Sequence, residues 1–320
     1  LRENGLAKAA KKAGRVAAMG LVKTAFSDDG KSAAIVEVNS ETDFVAKNEE
    51  FITFVETLAK MALDNDAADM DAFMALPYGD EGSVQDVLTN KIATIGENMT
   101  IRRFEKVSGE AVVSYIHGGR IGALIAGSVE ADDDVKAALT NVAMQVAAMN
   151  PQYIAKEDIS AEELAKTKEI TIDSALNDPA SLPKPILNSL FAKAVEGNVF
   201  SAEDAAAYEE QKNNKYLFNF LSEAAKKSLA ELALADKAAI VENKIFNGLV
   251  EGRISKQLKE ITLLEQPYVK AEDGKQTVKA YLASVNKDLK LTKMVRFEVG
   301  EGMEKKNEDF AAEVAAQMNA

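Results

Sequence analysis

The stretch that decides the fold lies near the start of the chain, where a valine-rich run leads into a polar and then an aromatic segment. It reads Val36-Glu37-Val38-Asn39-Ser40-Glu41-Thr42-Asp43-Phe44-Val45-Ala46-Lys47. The apolar beginning favours a strand and the polar residues after it favour a turn, so the run predicts a strand-to-helix corner at Asp43 and Phe44. Asn48 is a suitable cap for the next helix. Four apolar residues then recur at helical spacing: Phe51, Val55, Leu58 and Ala62.

Two further segments are expected to pair with this strand. Residues 21–26 are apolar, and the turn residues 27–31 separate them from the strand over 33–39, which predicts a hairpin. A helix is predicted to run through Ile92 and Ile95 and to end at Gly96. Residues 99–107 then read as a strand that joins the hairpin in a three-stranded antiparallel sheet covered by helices.

A second sheet is predicted from the hairpin over residues 111–126. Its two apolar strands flank Gly118-Gly119, and two glycines suit a tight turn that needs positive φ. Residues 132–149 are expected to form a helix that Asn150-Pro151 ends. Alternation returns only at residues 293–299, which predicts a strand whose partner lies far away in sequence.

The remaining segments are mostly helical in pattern. Alanine and lysine favour a helix over residues 6–15, and Gly5 is expected just past the end of a preceding helix, with further chain upstream of Leu1. The predicted fold class is α+β: two subdomains, each with a small three-stranded antiparallel sheet packed by helices, plus a long coiled-coil-like helical insertion and a C-terminal helix. The predicted domains are a remnant helix over 1–17, a core subdomain over 18–108, a second over 109–300 with the insertion at about 160–259, and a C-terminal module over 301–320.

Composition places the chain among globular proteins. Its 320 residues suit about two domains, and 47% of them are hydrophobic. No apolar run approaches the ~18 residues of a membrane span, so no membrane partner is expected. The lack of cysteine excludes disulfides and thiolate metal sites. Together with the lack of a recognisable signal segment, it predicts a cytoplasmic location.

The charge balance disfavours direct contact with nucleic acid. The 38 basic and 51 acidic residues give a net charge of −13, which opposes the electrostatic attraction to phosphates. The segment before residue 24 is nevertheless locally basic, with Lys8, Lys11 and Lys12 among its cations. Three interpretations remain open for that face: a solvated amphipathic helix, a nucleic-acid patch, or a contact with an acidic protein.

Motifs for catalysis are missing from the sequence. There is no phosphate-binding loop, and Gly300-Glu301-Gly302 lacks the third glycine of a dinucleotide fingerprint. The single histidine, His117, stands beside a glycine turn with no orienting carboxylate near it in sequence. Acidic pairs such as Asp28-Asp29 suit turns and helix caps. No cofactor and no metal are therefore expected, and an enzyme is disfavoured.

Several segments, in order along the chain, carry a resemblance to a known family. They are residues 6–14, residues 37–47, His117-Gly118-Gly119-Arg120-Ile121-Gly122, Pro151-Gln152-Tyr153, residues 297–302 and residues 309–316. With these segments the chain resembles the bacterial elongation factor Ts family, the guanine-nucleotide exchange factors of the GTPase elongation factor Tu. The resemblance implies an N-terminal helical module, most of which this chain lacks, then two sheet-bearing subdomains, a helical protrusion and a C-terminal helix.

The resemblance also implies the partner and the contact residues. The partner is elongation factor Tu, and the family pattern allows a higher-order assembly with it. Thr42, Asp43, Phe44 and Val45 match the corner whose aromatic ring wedges beside the magnesium site of the GTPase and promotes release of GDP. The other contact positions implied are Lys12, Ile95, Gly96, His117, Val269 and Phe310.

The residues themselves leave alternatives open for Phe44 and for the function. An aromatic ring at a polar corner either packs into its own core, here against Val55 and Leu58, or faces out toward a partner. His117 and Val269 also suit a turn residue and a packed strand end. The alternative function is a scaffold that binds a GTPase without promoting exchange.

Overall fold

The computed structural model describes residues 2–303 and contains, over that range, six β-strands and thirteen α-helices. In chain order they are α1 Arg2–Lys12, β1 Met19–Phe26, β2 Ser32–Ser40, α2 Asp43–Ala46, α3 Glu49–Asp64, α4 Met70–Met74, α5 Val84–Ile95, β3 Met99–Ser108, β4 Ala111–His117, β5 Ile121–Gly127, α6 Asp133–Met149, α7 Ala161–Leu176, α8 Lys184–Glu196, α9 Ala202–Gln211, α10 Glu223–Ala235, α11 Lys237–Ile240, α12 Lys244–Ile261, α13 Val278–Val285 and β6 Leu291–Glu298.

The described chain divides into two units. One contains residues 2–154 and 266–303 and holds both sheets, and the other is the helical segment Ala155–Glu265. This confirms the predicted α+β class with two small three-stranded antiparallel sheets. The predicted boundary between residues 108 and 109 falls in the connection from β3 to β4. The predicted C-terminal helix lies outside the described residues.

The first sheet has the order β1-β2-β3, with antiparallel pairing throughout. The predicted hairpin is confirmed, since Leu21 lies opposite Val38 and Phe26 opposite Ala33. Central strand β2 is buried along nearly its whole length. A strand buried on both faces must be covered by other layers, which explains why its residues are mostly apolar rather than alternating.

Those layers come from the helices on one side and the second sheet on the other. Phe51, Phe54 and Leu58 of α3 pack with Val36 and Val38 of β2. Burial of each such side chain stabilises the fold by about 1.5–3 kcal/mol. On the opposite face, the two sheets share a core that includes Val22 and Ile35 of the first and Leu124, Val295 and Phe297 of the second.

The second sheet has the order β4-β5-β6, again antiparallel. Strand β6 follows the helical segment in sequence and pairs with β5, with Phe297 opposite Gly122. Residue 122 is glycine where the sheets approach, since a Cβ there would lie 2.6 Å from Val22 Cγ1. The predicted helix is α6, which packs on β4 and β5 and buries the face formed by Val135, Leu139, Val142 and Val146.

The N-terminal helix departs from its predicted bounds. Helix α1 spans Arg2–Lys12, so Gly5 lies inside the helix and the expectation that it follows a helix end is wrong. Helix α1 packs on α5, and a Cβ on Gly5 would lie 3.3 Å from Asn90 Oδ1. The glycine therefore serves close helix packing and does not terminate the helix.

The second unit is helical and has a core of its own. One face of α8 is buried in this core, namely Ile186, Leu190, Phe191 and Ala194. The Phe191 ring stacks on Tyr208 with centroids 4.5 Å apart. Hydrogen bonds from the hydroxyl and backbone N–H of Ser222 hold the pKa of Asp204 below its usual value and join α9 to the start of α10. This segment is the helical insertion that the sequence predicts.

Candidate functional site

The corner after β2 presents an aromatic ring to solvent. Thr42 caps the single turn of α2, because its hydroxyl oxygen accepts the Val45 N–H at 3.4 Å. Val45 and Ala46 turn into the core of the first unit. One helical turn cannot place every side chain inward. Phe44 points away from the core and is 87% exposed, instead of packing against Val55 and Leu58.

Polar contacts hold this corner against the segment that follows α5. The Glu97 carboxylate accepts the Thr42 N–H at 3.0 Å and the Thr42 hydroxyl at 2.7 Å. Gly96, with φ of +89°, ends α5 in the left-handed conformation that glycine favours. The structure therefore brings the predicted positions Ile95 and Gly96 next to the corner that carries Phe44.

The turn that follows His117 is attached to the first sheet. Gly118 and Gly119 have φ of +59° and +72°, as the predicted tight turn requires. The Gly119 carbonyl accepts the Val22 N–H of β1 at 2.8 Å. Because α2 also packs on β1, the corner and the glycine turn lie against one strand. His117 is exposed, and its Nδ1 lies 3.1 Å from the Tyr115 hydroxyl.

Val269 lies on a different part of the first unit, in a loop held by α6. Its side chain is 51% exposed, while its backbone N–H donates to Gln145 Oε1 at 2.9 Å. Gln145 is fully buried and also donates from Nε2 to the Pro267 carbonyl at 3.0 Å and to Gln266 Oε1 at 3.1 Å. A buried amide thus fixes the loop that presents Val269.

The remaining two predicted positions lie at the ends of the chain. Lys12 is in the last turn of α1 and is partly exposed. Phe310 lies outside the described residues.

A buried carboxylate, that of Glu37, links the first sheet to the second. Glu37 of β2 is fully buried and accepts hydrogen bonds from Arg103 Nε at 2.6 Å and from the Gly300 N–H at 2.9 Å. Burial by itself raises the pKa of Glu37, but the hydrogen bonds from Gly300, Asn39 and Arg103 outweigh it. The pKa is therefore held below its usual value.

Sequence reasoning did not single out Glu37, Glu97 or Gln145 as organising residues. For Glu37 a signal was present, because a charged residue stands in a strand that is otherwise almost apolar. Glu97 and Gln145 occupy ordinary surface-like positions in the sequence. Their partners, Thr42 and Val269, are 55 and 124 residues away, so only the folded chain identifies them.

Over 2–303, His, Asp and Glu side chains do not gather into a group of three that could hold a metal ion. In the same part of the chain, none of the helices combines the length and apolar character that a membrane crossing requires.

Aromatic residues are enriched at protein–protein interfaces, so a ring held out from a polar corner is typical of a protein-recognition surface. Comparison with known proteins agrees with this class. Residues 41–301 match the family model described as elongation factor TS. The elongation factor Ts of Clostridioides difficile is 41% identical over 323 residues, which cover 99% of this chain and 86% of the relative. That of Clostridium tetani is 39% identical, with 99% and 87% covered.

The extent of these matches defines the chain as a translation elongation factor. It belongs to the elongation factor Ts family.

Proposed function

We propose that this chain binds the GDP form of elongation factor Tu and promotes release of GDP, with Phe44 as the residue that disturbs the magnesium and phosphate site. The observation that carries the proposal is the 87% exposure of the Phe44 ring. An exposed ring of this size forgoes about 1.5–3 kcal/mol of burial, which a partner's pocket restores. Membership of the elongation factor Ts family supports the identity of that partner.

The proposed mechanism is a coupling of two binding events and includes no covalent step. Binding that inserts Phe44 between elements of the GTPase distorts the site that holds GDP, so GDP binds more weakly. By linkage, GDP weakens the binding of this chain by the same factor. GTP then rebinds and the chain is released.

Other exposed positions supply affinity in this proposal. Ile95 and Gly96 beside the corner, and His117 on the adjacent turn, would contact the same domain of the GTPase. Val269, in the loop held against α6, would contact a separate domain, as the family resemblance implies. The roles of Lys12 and Phe310 rest on the family resemblance.

The test is a stopped-flow measurement of labelled GDP release from elongation factor Tu at increasing concentrations of this chain. Catalytic amounts of the chain are expected to accelerate release. Phe44→Ala is expected to lower the maximal rate by about 5- to 150-fold. This is the factor that corresponds to typical coupling free energies of about 1–3 kcal/mol. The matched control is Phe26→Ala, which removes a ring that is 37% exposed at the end of β1.

Two results would contradict the proposal. If Phe44→Ala exchanges GDP as fast as the unaltered chain, the ring is not the wedge. If the unaltered chain binds elongation factor Tu tightly and leaves GDP release unchanged, the chain is a scaffold without exchange activity.

A further inference from the structure

Glu97 places both of its carboxylate oxygens on the residue that caps α2. Oε1 accepts the backbone N–H of Thr42 at 3.0 Å, and Oε2 accepts the Thr42 hydroxyl at 2.7 Å. Hydrogen bonds to an ionised acceptor are shorter and stronger than neutral ones. One side chain therefore fixes both the backbone and the side chain of the residue two positions before Phe44.

A second set of contacts runs in the opposite direction across the same junction. Glu41 Oε2 accepts the backbone N–H of Asn98 at 3.3 Å and lies 3.6 Å from the Arg15 guanidinium. The buried Asn98 side chain donates to the Arg15 carbonyl at 2.8 Å. Residues 41–42 and 97–98 thus hold each other reciprocally, and Arg15, in the segment after α1, contacts both pairs.

Helix α2 needs such support from outside because it is too short to hold its own shape. It has four residues, and a single helical turn is unstable in isolation. Val45 and Ala46 anchor its far side in the core, but the exposed Phe44 ring receives little support from the rest of the chain. The orientation of Phe44 is consequently set by the backbone on either side of it, of which Glu97 holds the N-terminal part.

We infer that Glu97 is a positioning residue for Phe44: it holds the corner in the orientation in which the ring enters the partner. The inference rests on the proposed function. A corner ordered before binding avoids the entropic cost of ordering it during insertion. Loss of Glu97 then weakens the insertion step, which lowers the maximal rate of GDP release, while the contacts that give affinity remain.

The test combines substitutions of Glu97 and Phe44 in a double-mutant cycle measured by labelled GDP release. Glu97→Ala is expected to lower the maximal rate by about tenfold, equivalent to about 1.4 kcal/mol, and to change the half-saturating concentration less than about twofold. In the Phe44→Ala background the same substitution is expected to change the rate less than about twofold, because the ring that Glu97 positions is gone.

Two more variants distinguish the positioning of Phe44 by Glu97 from a general loss of folded structure. Glu97→Gln keeps an acceptor for the Thr42 N–H and is expected to restore most of the rate lost in Glu97→Ala. Glu81→Ala is the matched control, since it removes an exposed carboxylate from the turn before α5 and is expected to leave the rate unchanged. Hydrogen exchange of residues 41–47 in the free chain is expected to be faster in Glu97→Ala, with α3 unaltered.

Equal effects of Glu97→Ala with and without Phe44 would overturn the inference, because Glu97 would then act through its own contact or through the fold. An effect confined to the half-saturating concentration would overturn it too. The Phe44→Ala arm reports separately on the proposed function. If that arm exchanges normally while Glu97→Ala is slow, Glu97 does not act through Phe44 and both proposals fail.

Discussion

The backbone N–H of Gly300 donates a hydrogen bond of 2.9 Å to the carboxylate of Glu37, across 263 residues of sequence. Glu37 lies in the central strand of the first sheet, and Gly300 follows the last strand of the second. Gly300 has φ of +77°, and a Cβ there would lie 2.4 Å from the Ala18 carbonyl oxygen. The turn that follows β6 of the second sheet is therefore hydrogen-bonded to the first sheet through one buried carboxylate.

Removal of this carboxylate is expected to destabilise the first unit strongly. Arg102 and Arg103 both bond to Glu37, and the Arg103 guanidinium also lies 4.3 Å from the centroid of the Phe297 ring. Glu37→Ala takes the carboxylate away from both cations and leaves the buried Gly300 N–H without its acceptor, and loss of a buried hydrogen-bond partner costs about 1–3 kcal/mol, more where a charged group is involved. Urea unfolding followed by circular dichroism measures the change.

The control for this substitution is Glu110→Ala. Glu110 pairs with Lys31 at 3.5 Å on the surface, and an exposed pair contributes about 0–1 kcal/mol. Equal losses of stability in the two variants would show that the Glu37 network does not stabilise the fold more than a surface ion pair does.

The stability of the protein is expected to depend on pH through the same group. The pKa of Glu37 is lower in the folded chain than its usual value, so the folded state favours the ionised form. Its contribution is complete above the unfolded pKa of about 4.3 and is lost as pH falls through the folded pKa. The free energy of unfolding of Glu37→Gln should therefore fall less steeply below about pH 5 than that of the unaltered chain.

Urea midpoints measured from pH 7 to pH 3.5 provide this comparison. Other carboxylates titrate in both proteins, so their contributions cancel in the difference. A constant difference over the whole range would mean that Glu37 has the same pKa in the folded and unfolded states.

Gln145 is expected to control the loop that carries Val269. Gln145→Leu keeps a side chain of similar length but leaves the Val269 N–H and the Pro267 carbonyl without their buried partner, at a cost of about 1–3 kcal/mol for each group. Hydrogen exchange of residues 266–270 should become faster. The exposed Gln152 supplies the control, and a Gln152→Leu variant with the same exchange pattern would refute the role of Gln145.

The glycine turn after His117 offers a matched pair of substitutions. Alanine at either glycine must adopt positive φ, which costs about 1–2 kcal/mol. At Gly119 the new Cβ would also lie 2.9 Å from Leu21 Cδ2, whereas at Gly118 it would meet nothing within 4 Å. Overpacking of this kind adds about 1 kcal/mol or more, so Gly119→Ala should be the less stable variant in urea unfolding. Equal stabilities of Gly118→Ala and Gly119→Ala would mean that the positive φ accounts for the whole loss of stability and that the contact with Leu21 adds nothing.

Local patterns along the chain predicted most of the elements correctly. The hairpin over β1 and β2, the Asn48 cap of α3, the Gly118-Gly119 turn and helix α6 all follow from turn chemistry and periodicity. The interior position of Gly5 was missed, because its cause is the approach of Asn90 from a distant helix. Local patterns contain no information about such a neighbour.

The candidate site also has features that the local sequence predicts and features that depend on distant residues. The sequence by itself determined the polar corner, the aromatic ring at Phe44 and the family to which these residues point. The tertiary structure alone decided that the ring faces solvent, because Val45 and Ala46 take the inward side of the single turn. It also decided that Glu97 and Glu37 hold the corner and the sheets, since each bond joins groups more than fifty residues apart and forms only when packing brings them together.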